Sequence, residues 1–376
     1  MENIKNDTVE KSVLPGACSC MTLTSKSGRH YWFRTCDIET DLWKDGAHVV
    51  QYPAGEKITY GYGTEEISQY SFLGMTYNLI DTWMLDGINE WGLTGGLLML
   101  YEGTSVEKAE EGKQGYQGME LVTKLLSSCK DVEEVKEKAE EIQILDIPFG
   151  EYKLPSTMHY FFVDSAGNEV ILEAACKEQP GRIQIYEKEE LLGIMTNSPS
   201  YPKQRENLAW FLSQSPELRQ GLEGKTMTML MLDGRKIQAN ENVSHISCNG
   251  TFPASYSSYD RFIRLTVFKA LNESGNLFGD EEMLAMGSNL MKTVQEPCSK
   301  GVFHYTKIEE DGSIKGQKDS YTQYLIMYDI EEKCFYIQPF TMVSWVKYEM
   351  TEVSEKKSYP VSLQSMAGIL IGNLYR

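Results

Sequence analysis

The residue with the clearest chemical potential is a cysteine near the start of the chain. Cys18 follows a polar leader, residues 1–17, and opens a strand-like run over residues 18–24. If the chain were cut before Cys18, one residue would carry both a thiol and a free α-amino group. The thiolate is the reactive form of cysteine, and an α-amino group with a pKa of about 8 can serve as its general base. The alternative interpretation is a small, buried strand residue.

Other catalytic arrangements have little support in the sequence. The five histidines occur in no recognised triad signature and are interpreted as core or surface residues: His30, His48, His159, His245 and His304. The eight cysteines include no Cys-x-x-Cys pair, and Cys18-x-Cys20 alone is too sparse for a zinc site. The sequence therefore predicts neither a metal nor a cofactor.

Composition and charge argue against several classes of function. The chain has 376 residues, 41% of them hydrophobic, and a net charge of −18, which suits one large domain or two smaller ones. This negative charge repels phosphate backbones and anionic lipids, so neither nucleic acid nor a membrane is an expected partner. No segment approaches the roughly 18 consecutive apolar residues of a membrane span, and residues 1–17 lack the apolar stretch of a secretory signal. Since the scattered cysteines are expected to be reduced, the predicted location is the cytoplasm.

The hydrophobic pattern predicts an α+β chain. Strand patterns cover much of the first hundred residues and return twice: 18–24, 30–34, 48–51, 70–75, 93–100, 159–164, 169–173, 183–186, 192–196, 303–308, 321–328, 334–339 and 343–349. Helical patterns cover residues 119–126, 132–142, 204–212, 259–271 and 281–294. Two sheets with helices on their outer faces fit this order.

Five short motifs follow one another along the chain. The first is Cys18 with Arg34 and Asp37, in which Arg34 lies 16 positions after Cys18. The others are the stretches at residues 86–93 (Asp-Gly-Ile-Asn-Glu-Trp-Gly-Leu), 195–201 (Met-Thr-Asn-Ser-Pro-Ser-Tyr), 257–262 (Ser-Ser-Tyr-Asp-Arg-Phe) and 321–324 (Tyr-Thr-Gln-Tyr). Taken alone, Asn197 belongs to an ordinary turn and Arg261 to a surface salt bridge.

In this order and at these gaps, the motifs resemble those of the choloylglycine hydrolase family, which includes bile salt hydrolases and penicillin V acylases. The resemblance extends from Cys18 to about Met342. It implies an N-terminal-nucleophile hydrolase with a four-layer αββα sandwich of two mainly antiparallel sheets. The family's spacing of 16 favours Cys18 over Cys20, from which Arg34 is only 14 positions away. The resemblance also implies that residues 1–17 are a leader that is removed, and that residues 18–376 form one domain.

The resemblance assigns roles to six positions. Cys18 is the nucleophile, Arg34 is a cation that favours its thiolate, and Asp37 is a carboxylate that holds the new amino group. The Asn197 side chain and the Met99 N–H donate to the oxyanion, and Arg261 is a second active-site arginine. Met99 stands where the family has asparagine or tyrosine, which a backbone donor tolerates.

The implied reaction is hydrolysis of a linear amide bond in a small N-acyl substrate. The acyl group should be bulky and apolar, as in a conjugated bile acid or penicillin V, and residues 38–43 and 60–70 are candidates for its cleft. Two alternatives remain: an N-acyltransferase that uses the same thioester, and a non-catalytic binding relative that retains the leader. The resemblance also implies a homo-oligomer, namely a tetramer.

Overall fold

The fold was analysed in a computed structural model. It describes residues 18–38, 42–77, 79–148, 157–214, 228–230, 236–238, 252–275, 278–297, 304–308, 314–340 and 342–361. The leader, residues 1–17, lies outside these ranges.

Strands make up most of the regular structure. In chain order they are β1 Ser19–Thr24, β2 His30–Ile38, β3 His48–Tyr52, β4 Lys57–Thr59, β5 Glu65–Ile67, β6 Phe72–Tyr77, β7 Ile80–Asn89, β8 Thr94–Met99, β9 Gln114–Gln117, β10 Ile142–Leu145, β11 Met158–Val163, β12 Glu169–Glu173, β13 Gln184–Glu187, β14 Ile194–Thr196, β15 Thr228–Leu230, β16 Lys236–Gln238, β17 His304–Ile308, β18 Ile314–Asp319, β19 Tyr321–Asp329, β20 Cys334–Pro339, β21 Val346–Glu349 and β22 Lys357–Pro360.

The described residues also form five α-helices. They are α1 Leu121–Ser128, α2 Val132–Glu141, α3 Tyr201–Gln214, α4 Ser258–Gly275 and α5 Asp280–Lys292. The α2 helix begins at a clear cap, since the Asp131 side chain accepts a hydrogen bond from the Glu134 N–H. Its apolar positions Val132, Val135 and Ala139 are buried, as a helix with one apolar face requires.

Two large antiparallel sheets form the centre of the molecule. The six-stranded sheet has the order β14-β1-β2-β19-β20-β21, and the eight-stranded sheet has the order β13-β12-β11-β8-β7-β6-β3-β22. Every pairing within both sheets is antiparallel. The α4 and α5 helices contact the six-stranded sheet, and α1 contacts the eight-stranded sheet. The predicted αββα sandwich is therefore confirmed.

Alternation along β2 shows how the layers meet, because successive strand residues face opposite sides of a sheet. Phe33 points to the helical side, where a Cβ on Gly287 of α5 would lie 1.9 Å from its ring. Trp32 points to the other sheet, where a Cβ on Gly96 would lie 2.8 Å from its indole. Both glycines are thus required for close packing against a large ring. Odd-numbered residues of β2 face the helices, and even-numbered residues face the second sheet.

The 86–93 motif has a structural role at the outer face of the eight-stranded sheet. Asn89 Nδ2 donates to the carbonyl oxygens of Leu126 and Cys129 at 3.0 and 2.7 Å, so it satisfies the C-terminal end of α1. Its Oδ1 accepts from the Trp91 and Leu93 N–H groups at 3.1 Å each. This one side chain fixes both the turn after β7 and the helix that covers it.

Candidate active site

Cys18 lies immediately before β1, in a buried position between the two sheets. Its side chain faces the second sheet, and Arg34 of β2 approaches it from the neighbouring strand. Arg34 Nη2 donates to Cys18 Sγ at 3.3 Å. Cys18 is 4% exposed and Arg34 is 1% exposed, so the two groups interact with little screening by water.

Arg34 is held from the opposite sheet by a buried carboxylate. Its Nη1 donates to Asp86 Oδ2 at 2.8 Å and to the Leu85 carbonyl at 2.6 Å. The hydroxyls of Tyr324 and Tyr328 donate to the two oxygens of Asp86, each at 2.6 Å. The guanidinium that contacts Cys18 therefore has a fixed orientation.

A second arginine reaches the same cysteine from the helical side. Arg261, in the first turns of α4, donates from Nη1 to the Cys18 carbonyl and to Ser19 Oγ, both at 2.6 Å. Its Nη2 donates to Asn197 Oδ1 at 3.2 Å. Arg261 is 1% exposed, because the helix packs this side chain inward. The interpretation of Arg261 taken alone, as a surface salt-bridge residue, is therefore wrong.

Asn197 and Met99 contact each other across the two sheets, beside the strand that follows Cys18. Asn197 follows β14, and its Nδ2 donates to the Met99 carbonyl at 3.4 Å. The Ser198 N–H donates to the same carbonyl at 3.3 Å. The backbone carbonyl of Asn197 accepts from Gln204 Nε2 at 2.9 Å and from Ser258 Oγ at 2.7 Å. The loop that carries Asn197 is thus fixed by α3 and α4.

Asp37 lies on the helical face of β2, near two further polar groups. Its Oδ2 accepts from Thr35 Oγ1 at 3.0 Å, and its Oδ1 accepts from Thr322 Oγ1. Thr322 Oγ1 in turn accepts from the Glu296 N–H at 2.8 Å. Burial raises the pKa of Asp37 well above its usual value, and the charges of Glu296 and Cys18 add to this effect. A cation placed beside this buried carboxyl group would stabilise its ionised form.

The thiols of Cys18 and Cys20 differ in their ionisation. A hydrogen bond with the Cys36 thiol lowers the pKa of Cys18 most, and Arg34 lowers it further; together they outweigh desolvation. Burial instead raises the pKa of Cys20 well above its usual value. Of the two candidate nucleophiles, Cys18 is the one that is poised as a thiolate.

The structure brings all six sequence-predicted site residues into one cluster and adds others that the sequence did not indicate. Asp86 belongs to a recognised motif, but nothing in that motif indicates a bond to Arg34. Cys36 could have been found from strand periodicity, because it lies two residues after Arg34 and must share its face. No local signal marks Glu296, which reaches the site through the fold.

Neither a metal-binding cluster nor a membrane-spanning helix occurs in the described part of the chain. No group of three or more His, Cys, Asp or Glu residues there is arranged to hold a metal ion. None of the helices described is long and apolar enough to cross a membrane.

A family comparison covers nearly all of the described chain. The model of the linear amide C–N hydrolases, choloylglycine hydrolase family, matches residues 18–359. The chain belongs to this family. As a choloylglycine hydrolase family member, it is a linear amide C–N hydrolase, which confirms the enzyme class that the five motifs predict.

Named relatives and solved structures are consistent with this membership. The bile salt hydrolase/transferase of Clostridium perfringens is 26% identical over 317 residues, covering 78% of this chain and 90% of the relative. The enzyme of the same name from Lactiplantibacillus plantarum is 23% identical over 348 residues, covering 91% and 97%.

Two structures share the fold of this choloylglycine hydrolase family member. A mutant of the conjugated bile acid hydrolase from Clostridium perfringens has a TM-score of 0.70 at 21% identity, covering 91% of this chain and 96% of that one. Penicillin V acylase from Agrobacterium tumefaciens has a TM-score of 0.62 at 17% identity, covering 92% and 89%. Both establish the common architecture of the two stacked sheets.

Proposed function

We propose that this protein hydrolyses an N-acyl amide with Cys18 as an N-terminal nucleophile. The observation that carries the proposal is the contact between Cys18 Sγ and a guanidinium fixed on Asp86. Two buried arginines surround one cysteine, one at its sulfur and one at its carbonyl. Such fixed positive charge suits a thiolate and the oxyanion that forms when it attacks.

The proposed reaction proceeds through a thioester. The Cys18 thiolate attacks the amide carbonyl, and the resulting oxyanion is stabilised by the Asn197 side-chain amide and the Met99 N–H. For this the Asn197 amide exchanges its bond to the Met99 carbonyl for one to substrate. The Cys18 α-amino group delivers the proton to the departing amine. Water then hydrolyses the thioester, with the same amino group as its base.

The α-amino group becomes available when residues 1–17 are removed. We propose that Cys18 attacks the preceding carbonyl carbon, so that the peptide bond to Ala17 becomes a thioester that water cleaves. The family match begins at Cys18, which supports this cleavage point, and residues 18–376 would then be the single mature domain. The buried Asp37 would hold the new ammonium group, because its position favours a neighbouring cation.

The substrate is proposed to have a bulky, apolar acyl group. A cavity of about 410 Å³ is lined by Trp43, Gly46, Ala47, His48, Leu79, Asp81, Ser358 and Val361. Trp43 packs on Tyr324, with ring centroids 6.1 Å apart, and Tyr324 binds Asp86. Trp43 therefore connects this cavity with a tyrosine that binds Asp86, the carboxylate partner of Arg34. Of the two stretches expected to form the cleft, 38–43 reaches this cavity through Trp43, whereas Tyr60 packs against Tyr116.

Intact-mass measurement combined with an amide hydrolysis assay tests the proposal. The purified protein should contain a species that begins at Cys18 and should release the amine from a conjugated bile acid or from penicillin V. Cys18→Ala should retain the leader and lose about three orders of magnitude or more in activity. Cys20→Ala is the matched control, since it removes a buried thiol two residues away. Activity in a protein that retains Met1, or a larger loss in the control, would refute the proposal.

Acyl transfer is a second candidate, because two relatives carry the name bile salt hydrolase/transferase. An amine bound in place of water would attack the same Cys18 thioester and form a new amide. Adding free amino acid to the reaction should then produce a new conjugate at the expense of the free acid.

Light scattering on the same preparation would test the proposed homotetramer. A protein with neither activity that retains residues 1–17 would instead be a binding relative.

A further inference from the structure

A second buried thiol lies beside the proposed nucleophile. In the antiparallel pairing of β1 with β2, Ser19 is opposite Thr35 and Cys20 is opposite Arg34. One step further along the same register places Cys18 opposite Cys36. The two cysteines are 4% and 0% exposed, so both thiols belong to the interior between the sheets.

The two sulfur atoms share one nitrogen of Arg34. Nη2 lies 3.3 Å from Cys18 Sγ and 3.8 Å from Cys36 Sγ. Both side chains therefore point to the same side of the sheet and converge on the same guanidinium. The Cys36 thiol is also hydrogen-bonded to Cys18, where it favours the Cys18 thiolate.

This placement satisfies the geometric requirement for a disulfide. Directly opposed residues of an antiparallel pair have Cα atoms about 4.5–5.5 Å apart, and disulfides span Cα separations of about 4.4–6.8 Å. Cys20 is less well placed to reach Cys18, because two residues along the same strand are about 6.6 Å apart, near the upper limit of that span. Cys36 is therefore the thiol best positioned to bond with Cys18.

The two thiols also have complementary chemistry. The environment of Cys18 favours its thiolate, and thiolates are the form that peroxides oxidise. Burial keeps Cys36 protonated by raising its pKa well above the usual value. Cys18 would therefore react first, and Cys36 would supply the second sulfur.

We propose that Cys36 is a resolving cysteine, which makes the nucleophile of this enzyme a site of reversible oxidation by hydroperoxides. The Cys18 thiolate attacks one peroxide oxygen; the S–O bond forms, the O–O bond breaks, and hydroxide leaves from hydrogen peroxide or an alkoxide from an organic hydroperoxide. Cys36 then attacks the sulfur of the sulfenic acid; the S–S bond forms, the S–O bond breaks, and the Cys36 proton leaves with the hydroxyl as water. The two sulfurs lose two electrons, which reduce the peroxide. The inference rests on the proposed function, because a site open to an amide substrate is open to a smaller peroxide.

The disulfide protects the nucleophile as well as silencing it. While the bond is present, Cys18 cannot attack an amide carbonyl, and a dithiol restores the enzyme by exchange. Without a resolving thiol, the sulfenic acid is exposed to a second peroxide and becomes sulfinic acid, which dithiols do not reduce.

Peptide mapping of the purified full chain after treatment with hydrogen peroxide tests the inference. The sample is digested under acidic, non-reducing conditions to prevent exchange. A cross-linked pair of peptides containing Cys18 and Cys36 is expected, with a mass about 2 Da below the sum of the reduced peptides. Dithiothreitol should remove the cross-link and restore amide hydrolysis.

Two variants identify the resolving thiol, each compared with its own activity before oxidation. After peroxide, Cys36→Ser should carry a gain of about 32 Da on Cys18, the sulfinic acid, and dithiothreitol should restore little of its activity. Cys20→Ser, the matched control, should form the cross-link and recover as the parent does. A Cys18–Cys20 cross-link would overturn the assignment, as would sulfinic acid or unmodified thiols in the parent protein.

The mass measurement separates this inference from the proposed function. It reports the Cys18–Cys36 bond in the parent protein without any variant, so a Cys36→Ser protein that does not fold leaves the test intact. If the cross-link forms in a protein with no amide hydrolysis, the proposed function fails and the disulfide stands. If hydrolysis is present and peroxide forms no cross-link, only the present inference is wrong.

Discussion

At the scale of the residue, Cys18 and Cys20 show how neighbours decide the reactivity of a thiol. Both are buried on the same side of the six-stranded sheet, so desolvation acts against both thiolates. The difference is that Cys18 has a hydrogen bond with the Cys36 thiol and another from Arg34 Nη2. Hydrogen bonds from a thiol and a guanidinium therefore outweigh burial at Cys18, whereas burial prevails at Cys20.

Replacing Arg34 should shift the ionisation of Cys18 to higher pH. The pKa of Cys18 lies below its usual value partly because of Arg34, so in Arg34→Met the thiolate should appear only at higher pH. We expect the pH of half-maximal alkylation to rise by about one unit or more. The measurement is the rate of iodoacetamide incorporation at Cys18 as a function of pH, followed by peptide mass.

Arg29→Met is the matched control for this shift. Arg29 also binds a carboxylate, donating from Nη2 to both oxygens of Asp329 at 2.8 Å, but none of its hydrogen bonds in the described structure reaches Cys18. Its alkylation profile should coincide with that of the parent. An unchanged profile in Arg34→Met would mean that Arg34 does not control the thiolate.

At the scale of the element, Asp86 joins the two sheets. It lies on β7 of the eight-stranded sheet, while Arg34 on β2 and both tyrosines on β19 belong to the six-stranded sheet. Three donors therefore meet one buried carboxylate across the interface. Breaking a buried ion pair on one side leaves the partner charge without compensation, which costs about 3–5 kcal/mol.

Asp86→Asn should consequently destabilise the fold more than the loss of one of its hydroxyl donors. We expect a decrease of about 3 kcal/mol in the free energy of unfolding, because Arg34 remains charged between the sheets. Tyr328→Phe, the comparison variant, removes a single hydrogen bond to a charged group and should cost about 1–2 kcal/mol. Urea unfolding of both variants measures the difference, and equal losses would argue against the buried ion pair.

The same elements show how far the sequence predicts this site. The spacing from Cys18 to Arg34 is informative because β1 and β2 form a hairpin, whose register places Arg34 opposite Cys20 and therefore diagonal to Cys18 on the same face of the sheet. The hydrophobic pattern does not predict β7, since Asp86, Gly87 and Asn89 are all disfavoured in strands. Each has a tertiary reason to be there: Asp86 binds Arg34, a Cβ on Gly87 would lie 2.7 Å from Leu126, and Asn89 caps α1.

The sequence indicates individual residues of the site but not the contacts between them. Asn197 and Arg261 were found from motifs, but the bond between them joins residues 64 positions apart. Asp86 is 52 positions from Arg34, and their contact depends on how two sheets stack. No periodicity within either strand encodes that contact, because periodicity fixes the face of a residue and not the partner on the opposite face.

At the scale of the whole molecule, the fold places a second carboxyl group near the active site. Glu296 is 5% exposed, and its Oε2 accepts from Ser320 Oγ at 3.0 Å. Burial raises its pKa to about 7, although the charge of Arg261 opposes this rise. Glu296 is one of the acidic residues counted in the formal net charge of −18, and its raised pKa keeps it protonated in mildly acidic solution.

The pH dependence of stability follows from this raised pKa. An unfolded glutamate ionises near pH 4.3, whereas Glu296 in the folded protein ionises near pH 7. Between these values the folded state binds more protons than the unfolded state, so the contribution of Glu296 to the free energy of unfolding decreases as the pH rises. The decrease begins near the pKa of the unfolded chain and is complete above the folded pKa.

Glu296→Gln should remove this pH dependence while preserving the shape of the side chain. Relative to the variant, the parent should lose up to about 3 kcal/mol of unfolding free energy between pH 4.5 and 8, since one pKa unit corresponds to about 1.4 kcal/mol. Glu107→Gln, an isosteric change at an exposed position, should follow the parent at every pH. Urea unfolding across this range measures all three proteins. Parallel curves for the parent and Glu296→Gln would mean that Glu296 ionises alike in the folded and unfolded chains, and that its burial does not raise its pKa.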